Sequence, residues 1–110
     1  MRVVQTEAGE ACARGGFTAV CPMPNTRPVN DSASVTRGIL ERAAAVASTR
    51  VWPIGAASAG SQGEKLAEIA AMQDAGIVGV SDDGKPIATA RLLRQVMEYC
   101  RSLDLPVIDH

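Results

Sequence analysis

The chain contains few aromatic side chains and no concentration of positive charge. Only Phe17, Trp52 and Tyr99 are aromatic among 110 residues, so the core must consist mainly of aliphatic side chains and alanine. Eleven Lys and Arg residues balance twelve Asp and Glu residues, and no Lys/Arg cluster could neutralise a row of phosphates. We therefore expect no nucleic-acid partner, because neither base stacking nor phosphate binding is supported.

Cysteine pairs and long apolar runs are also missing. Cys12, Cys21 and Cys100 are odd in number and lack C-x-x-C spacing, which argues against a disulfide framework and against a zinc knuckle. The first residues lack the apolar stretch of a signal peptide, and no run reaches the roughly 20 residues that cross a membrane. These absences predict a cytoplasmic protein with no membrane partner.

The chain does contain an alternation of strand and helix patterns, within a length that fits one domain, residues 1–110. Short apolar runs predict four buried strands. The predicted strands are residues 17–21, 50–54, 77–80 and 106–108.

Helical patterns precede, separate and follow the first three strands. A weak pattern over residues 4–14 predicts a helix that ends at Gly15. Ser61 and Glu64 form a capping-box pattern for a later helix, which Gly76 would end. The other predicted N-cap residues are Asn30, Asp31, Ser32 and Thr89. The predicted apolar stripe of the last helix is Leu93, Val96, Met97, Cys100 and Leu103.

This alternation predicts the α/β class, with a parallel sheet and right-handed crossovers. An open doubly wound sheet usually carries a glycine-rich first turn, and no G-x-G-x-x-G follows any predicted strand. We therefore expect a partial TIM (β/α)8 barrel, in which four parallel strands alternate with helices.

Polar side chains follow three of the predicted strands. Asp82 and Asp83 follow the third strand, and His110, the single histidine, follows the fourth. Neighbouring parallel strands lie about 4.8 Å apart, so a carboxylate and an imidazole could reach a common metal ion there. The residues alone leave two ordinary alternatives open: a turn at Asp82-Asp83-Gly84, and a histidine held by a neighbouring hydrogen-bond partner.

Asn25 follows the first predicted strand, between Pro24 and Thr26. The prolines on either side, Pro24 and Pro28, could hold its amide over the mouth of the sheet, where it would offer a donor and an acceptor to a small polar ligand. A proline-stiffened turn with a local Asn hydrogen bond is the alternative.

Five short motifs, in order and spacing, resemble the dihydroorotases of the longer-chain bacterial class, within the amidohydrolases. The motifs are Gly15-Gly16-Phe17-Thr18, Met23-Pro24-Asn25-Thr26 with Pro28, Pro53-Ile54-Gly55, Ser81-Asp82-Asp83-Gly84 and Pro106-Val107-Ile108-Asp109-His110. The resemblance covers essentially the whole chain but only about a quarter of such an enzyme. It implies an internal fragment that spans barrel strands two to five.

The resemblance also implies a function and residue roles. Dihydroorotases interconvert N-carbamoyl-L-aspartate and dihydroorotate in de novo pyrimidine biosynthesis, with two zinc ions. By resemblance, Asp83 is the carboxylate that joins the two zinc ions, His110 is a zinc ligand, and Asn25 binds the small-molecule substrate. Asp82 is then an orienting residue rather than a ligand.

The resemblance places no catalytic residue within this chain, because the first-strand His-x-His pair, the remaining histidine ligand and the catalytic aspartate fall outside it. The chain alone is therefore expected to be inactive. The intact parent is expected to be a homo-oligomer or to associate with aspartate transcarbamoylase.

Two other functions stay open at this point. A sibling cyclic amidase, a hydantoinase or allantoinase, resembles the same fold, but usually bridges its metals with a carboxylated lysine, whereas this strand offers Asp83. A dihydroorotase-like scaffold that supports aspartate transcarbamoylase without catalysis is the other alternative.

Overall fold

A computed structural model describes residues 10–45 and 49–110. Residues 10–14 are helical and lead into the turn at Gly15 and Gly16, as predicted; the earlier part of that predicted helix lies outside the described residues. The strands are β1 (Ala19–Val20), β2 (Arg50–Val51), β3 (Ile54–Ala56) and β4 (Gly79–Ser81). The helices are α1 (Ala33–Ala45), α2 (Ile69–Ala75) and α3 (Ala90–Ser102).

The strands form two parallel sheets of two strands each. β1 pairs with β2, with Val20 opposite Val51, and β3 pairs with β4, with Gly55 opposite Val80. The last predicted strand, residues 106–108, is present only as an isolated parallel bridge between Val107 and Val80 of β4. The result is a mixed α/β structure of short parallel strands and helices.

The predicted strand at residues 50–54 divides into β2 and β3. Pro53 has no N–H to donate, and the chain changes partner there, from β1 on one side to β4 on the other. The ladder is nevertheless continuous, because Ile54 N–H donates to Pro22 and Val78 N–H donates to Pro53.

The prediction of buried strands is wrong for the first and last predicted strands, none of whose residues is buried, and at Trp52 and Val78 in the two between them. Phe17 is 62% exposed and Trp52 is 50% exposed. Burial is instead concentrated on β3 and β4, all of whose residues are buried.

Two predicted helix ends are confirmed. The Thr89 side chain accepts a hydrogen bond from Leu92 N–H at 3.0 Å and caps α3. Gly76, at φ 125°, follows α2, and its N–H donates to the carbonyls of Met72 and Gln73. Glycine is suited to this position because a positive φ strains other residues.

The predicted capping box at Ser61 is wrong. Ser61 lies in a short 3-10 turn, Ala59–Ser61, with φ 54°, and α2 begins only at Ile69. Gly60 and Gly63 also have positive φ, so the backbone here cannot continue as an α-helix. Instead the segment folds back on itself, with Ala59 N–H donating to Lys65 and Ser58 bridging to Leu66.

The predicted roles of Asn30, Asp31 and Ser32 as helix caps are also not what the structure shows. α1 begins at Ala33, but the Asn30 and Asp31 side chains bond to β3 and to Gly60 respectively. The Ser32 hydroxyl lies 3.1 Å from that of Ser34. The Asn30 side chain thus joins the segment before α1 to β3, and the Asp31 side chain joins it to the turn at Gly60.

The core lies between β4, α2 and α3. Val80 packs with a buried set from both helices, and that set is Ile69, Met72, Leu92, Val96 and Cys100. The prediction that Met97 belongs to the apolar stripe on the core is wrong, since Met97 is 55% exposed and Leu92 is buried instead. The face of α3 that packs on the core therefore includes Leu92 and excludes Met97, so it differs slightly from the face that the apolar pattern indicated.

No described helix combines the length and the apolar character needed to cross a membrane.

Candidate functional site

The three predicted site residues meet at one end of the sheet. Asp83 Oδ1 lies 3.9 Å from His110 Nδ1, and Asn25 Nδ2 donates to Asp83 Oδ2 at 3.2 Å. Asp83 is half-buried, and His110 and Asn25 are exposed. A carboxylate, an imidazole and an amide therefore face a mouth that solvent and ligands can reach.

The strand register explains why Asp83 and His110 meet. Val80 is paired in parallel with Val107, and the Ile108 N–H donates to Val80 at 2.9 Å. Counting from 80 to 83 and from 107 to 110, each site residue lies the same number of positions past its paired valine. The two parallel segments thus place both side chains at the same level along the strand direction, just past the carboxyl ends of the segments.

The Asn25 segment is fixed by a buried amide. Asn30 N–H donates to Pro24, and the Asn30 side chain donates from Nδ2 to Ile54 at 3.0 Å. Its Oδ1 accepts from the Thr36 hydroxyl at 2.7 Å, and Thr36 belongs to α1. Asn30 therefore holds the loop after β1 against β3, and so determines where Asn25 lies.

Asp82 points away from the mouth. It is 3% exposed, and its Oδ1 accepts N–H groups of Ala57 and Ser58, each at 3.0 Å. Its Oδ2 accepts from the Ser58 hydroxyl. In the turn that follows, the Lys85 N–H donates to the backbone carbonyl of Asp82, and Gly84 has a φ of 94°. Both features belong to the turn that the sequence left open as an alternative. The Asp82-Asp83 pair thus divides into an inward residue and a mouth residue.

Asp109, the residue before His110, also accepts a backbone N–H with its side chain. Its Oδ1 accepts from Ile87 N–H at 3.0 Å, and Ile87 lies in the loop that follows Asp83. The end of the last strand is therefore tied to the loop of its neighbour. Sequence reasoning missed this bond and the role of Ser58, because an isolated Asp or Ser carries no pattern that reveals a partner distant in the chain.

The donor set suits a divalent metal ion. Carboxylate oxygen and imidazole nitrogen are both zinc ligands, and two donors on one zinc can be at most about 4.2 Å apart, since each bond is about 2.1 Å. Tetrahedral coordination with such bonds places two donors about 3.4 Å apart. The observed separation of 3.9 Å would therefore shorten by about 0.5 Å on binding one zinc. In the described part of the chain, no group of three or more His, Cys, Asp or Glu side chains is placed to hold a metal. Among the described residues, Asp83 and His110 form a pair of potential donors and no larger cluster.

The sequence of this chain matches one protein family along nearly all of its length. The family model described as dihydro-orotase-like matches residues 2–110. The match thus includes Asn25, Asp83 and His110.

Curated proteins give the same result. The chain is 57% identical over 100 residues to the dihydroorotase of Desulforapulum autotrophicum, and the aligned region covers 91% of this chain and 24% of that protein. It is 57% identical over 100 residues to the dihydroorotase of Solibacter usitatus, covering 91% of this chain and 23% of that protein. It is 54% identical over 101 residues to that of Desulfotalea psychrophila, covering 92% and 24% respectively. The chain spans about a quarter of the length of the curated relatives it matches.

Proposed function

The chain belongs to the dihydro-orotase-like family, and we propose on that premise that it is part of a dihydroorotase. Such an enzyme hydrolyses a C–N bond of a cyclic amide and interconverts N-carbamoyl-L-aspartate and dihydroorotate in de novo pyrimidine biosynthesis. The observation that carries the proposal is the convergence of Asn25, Asp83 and His110 at one end of a parallel sheet.

We propose that the four predicted strands, residues 17–21, 50–54, 77–80 and 106–108, belong to a (β/α)8 barrel, as strands two to five. The parallel pairing and the chain-order arrangement of neighbours support this, because a barrel adds each strand beside its predecessor. The position of the site supports it too, since barrel enzymes place their active sites at the carboxyl ends of the strands.

Asp83 and His110 would hold zinc, as two ligands of a binuclear site that further residues of the longer protein complete. When bound, zinc lowers the pKa of a water molecule towards neutrality and polarises the amide carbonyl that this water attacks. The hydrogen bond from Asn25 Nδ2 to Asp83 Oδ2 orients that carboxylate. Asp109 fixes the strand end that carries His110.

Asn25 would bind the substrate. Its side chain is exposed at the mouth and lies beside Asp83, so a substrate near the metal would come within reach of the amide. An amide can both donate and accept, which suits the carbonyl, N–H and carboxylate groups of dihydroorotate.

We propose that the chain alone neither binds zinc tightly nor turns over dihydroorotate, because two protein ligands cannot fix a binuclear site. The longer protein would be cytoplasmic, and would form a homo-oligomer or associate with aspartate transcarbamoylase. No nucleic acid or membrane takes part in this function.

A segment exchange tests the proposal. The matching 100-residue segment of the Desulforapulum autotrophicum dihydroorotase is replaced by this chain, and hydrolysis of dihydroorotate is measured. We expect the chimera to be active, because the segments are 57% identical. We expect Asp83→Ala and His110→Ala in the chimera to lower turnover by at least about a hundredfold, because each removes a metal ligand.

Asp74→Ala is the matched control, because Asp74 is an exposed carboxylate on α2. It should leave turnover unchanged. Near-normal turnover in the Asp83→Ala chimera would remove Asp83 from the mechanism. An inactive chimera that folds and contains zinc would instead favour the non-catalytic scaffold, and preference for hydantoin or allantoin would favour the sibling amidases.

A further inference from the structure

The loop at residues 57–67 carries no predicted site residue, yet two carboxylates from the surrounding site segments bind it. Asp82, next to Asp83, binds its beginning at Ala57 and Ser58. Asp31, in the segment that follows Asn25, accepts from Gly60 N–H at 2.7 Å. The loop therefore lies between the segments that carry Asn25 and Asp83.

Asp82 cannot act as a metal ligand in this arrangement. A carboxylate offers about four lone-pair positions, and Asp82 uses three of them on two amides and one hydroxyl. Because Asp82 is buried, losing these donors would leave a desolvated carboxylate without partners, which is costly. The bonds therefore fix the backbone of Asp82, and with it the direction in which the next residue, Asp83, leaves the strand.

Ser58 strengthens this attachment. Its hydroxyl donates to Asp82 and accepts from Gly63 N–H at 2.9 Å, so one buried side chain joins both sides of the loop to the end of β4. Gly63 lies against Ala88, since an added Cβ would be 2.6 Å from the Ala88 Cβ. The loop is thus held at its beginning by Asp82 and at its far side by the segment that precedes α3.

We propose that Asp82 is a positioning residue for the metal site, acting through the loop at residues 57–67. Asp82 holds Asp83 toward His110, and the Gly60 to Asp31 bond holds the Asn25 segment on the same loop. This inference rests on the proposed function, because it assigns to Asp82 an effect on a metal ion bound by Asp83 and His110.

Cobalt binding by the full chain tests this role without enzyme activity. Isotope-labelled chain is titrated with Co²⁺, and nuclear magnetic resonance follows the paramagnetic effects on Asn25, Asp83 and His110. We expect weak binding centred on these residues. We expect Asp82→Ala to weaken the apparent Co²⁺ affinity at His110 by about tenfold or more, the usual effect of removing a group that orients a ligand.

Asp82→Asn and Ser58→Ala keep the test decisive if Asp82→Ala does not fold. The asparagine Oδ1 can still accept from Ala57 and Ser58, so Asp82→Asn should recover most of the affinity. Ser58→Ala removes only the hydroxyl and should cause an intermediate loss. Asp74→Ala is the control and should behave as the original chain does. In each folded variant, amide hydrogen exchange at Ala57 and Ser58 should speed up in proportion to the loss of affinity.

Two negative outcomes are distinguishable. If the original chain shows no Co²⁺ effect centred on Asp83 and His110, the proposed metal pair is wrong, and the role of Asp82 falls with it. If the original chain shows that effect and the folded Asp82 and Ser58 variants bind Co²⁺ equally well, the metal pair stands and the positioning role of Asp82 is overturned.

Discussion

Asn30 is the buried side chain that fixes the loop after β1. Its amide donates to the Ile54 carbonyl and accepts from the Thr36 hydroxyl. Asn30→Ala removes both bonds and takes this donor from the buried Ile54 carbonyl, whereas the Thr36 hydroxyl keeps its bond to the Ser32 carbonyl. We expect the free energy of unfolding, measured in urea, to fall by about 1–3 kcal/mol. Asn25→Ala is the matched control, because Asn25 is exposed, and it should change stability by less than about 0.5 kcal/mol. Equal losses in the two variants would contradict this account of Asn30.

Cys100 is a buried thiol on α3. Burial raises its pKa above the ordinary value of 9.0, because the thiolate is poorly solvated there. As pH rises through 9, the unfolded chain loses this proton first and so binds fewer protons than the folded chain. The contribution of Cys100 to the free energy of unfolding is therefore fully present below that pH, and it is lost as pH rises through the folded-state pKa of Cys100.

The expected result is a free energy of unfolding that falls more steeply from pH 8 to pH 10 in the original chain than in Cys100→Ala. The comparison isolates Cys100, because the other titrating groups are common to both proteins. Cys21→Ala should keep the original slope, since Cys21 is exposed. Parallel pH curves for the original chain and Cys100→Ala would show that the thiol is not shielded in the folded state.

The convergence of the three candidate site residues is more predictable from the sequence than their hydrogen-bond partners are. Asp83, His110 and Asn25 each follow a recognisable apolar run, and the carboxyl ends of parallel strands share one edge of a sheet. Asn30 and Asp31 also carry a recognisable signal, but it indicated helix caps, because the sequence cannot show that Ile54 and Gly60 lie closer to these side chains than the first turn of α1 does.

Two glycines differ in how much free space surrounds them, Gly38 in α1 and Gly55 in β3. Gly38 lies within α1, and an added Cβ would meet nothing within 4 Å. Gly55 lies in β3 beneath α2, where an added Cβ would come 2.9 Å from Met72 Sδ. We expect Gly38→Ala to raise the free energy of unfolding by about 0.5–1 kcal/mol through helix propensity. We expect Gly55→Ala to lower it by about 1–3 kcal/mol through overpacking.

Thermal or urea unfolding of both variants checks this pair. The sign of each change is the critical result, because the same substitution is made in both places. If Gly55→Ala were as stable as Gly38→Ala, α2 would not pack as closely on β3 as the structure indicates.

Elements were predictable where local pattern and tertiary contacts agree. Thr89 caps α3 and Gly76 ends α2 as the pattern indicated, since both signals act within one turn of the helix. The pattern at Ser61 failed because Gly60 and Gly63 take positive φ and Asp82 binds the preceding residues, none of which a capping box reveals. The pattern at residues 50–54 found a strand but not the change of partner at Pro53.

At the scale of the whole molecule, the sheet has two outer edges. Within the residues that the structure describes, no strand pairs with the outer side of β1 or with the outer side of the segment at Val107. Unpaired parallel edges bind other strands, and exposed Phe17 lies close to one of them. We therefore expect the isolated chain to self-associate in sedimentation velocity at micromolar concentration.

Phe17→Lys should reduce this association, because a charge beside an edge strand opposes pairing with another chain. Arg37→Lys, on the exposed face of α1, is the control and should associate like the original chain. A single monomeric species for the original chain at all concentrations would show that its edges are protected.

The central claim is that neighbouring parallel strands bring Asp83 and His110 together. Nuclear Overhauser spectroscopy of the labelled chain tests it directly, through cross-peaks from the His110 ring to the Asp83 β-protons and from Val80 to Val107. We predict both sets of cross-peaks, as the 3.9 Å approach of Oδ1 to Nδ1 and the Val80–Val107 bridge require. A folded chain that shows neither set would contradict the claim.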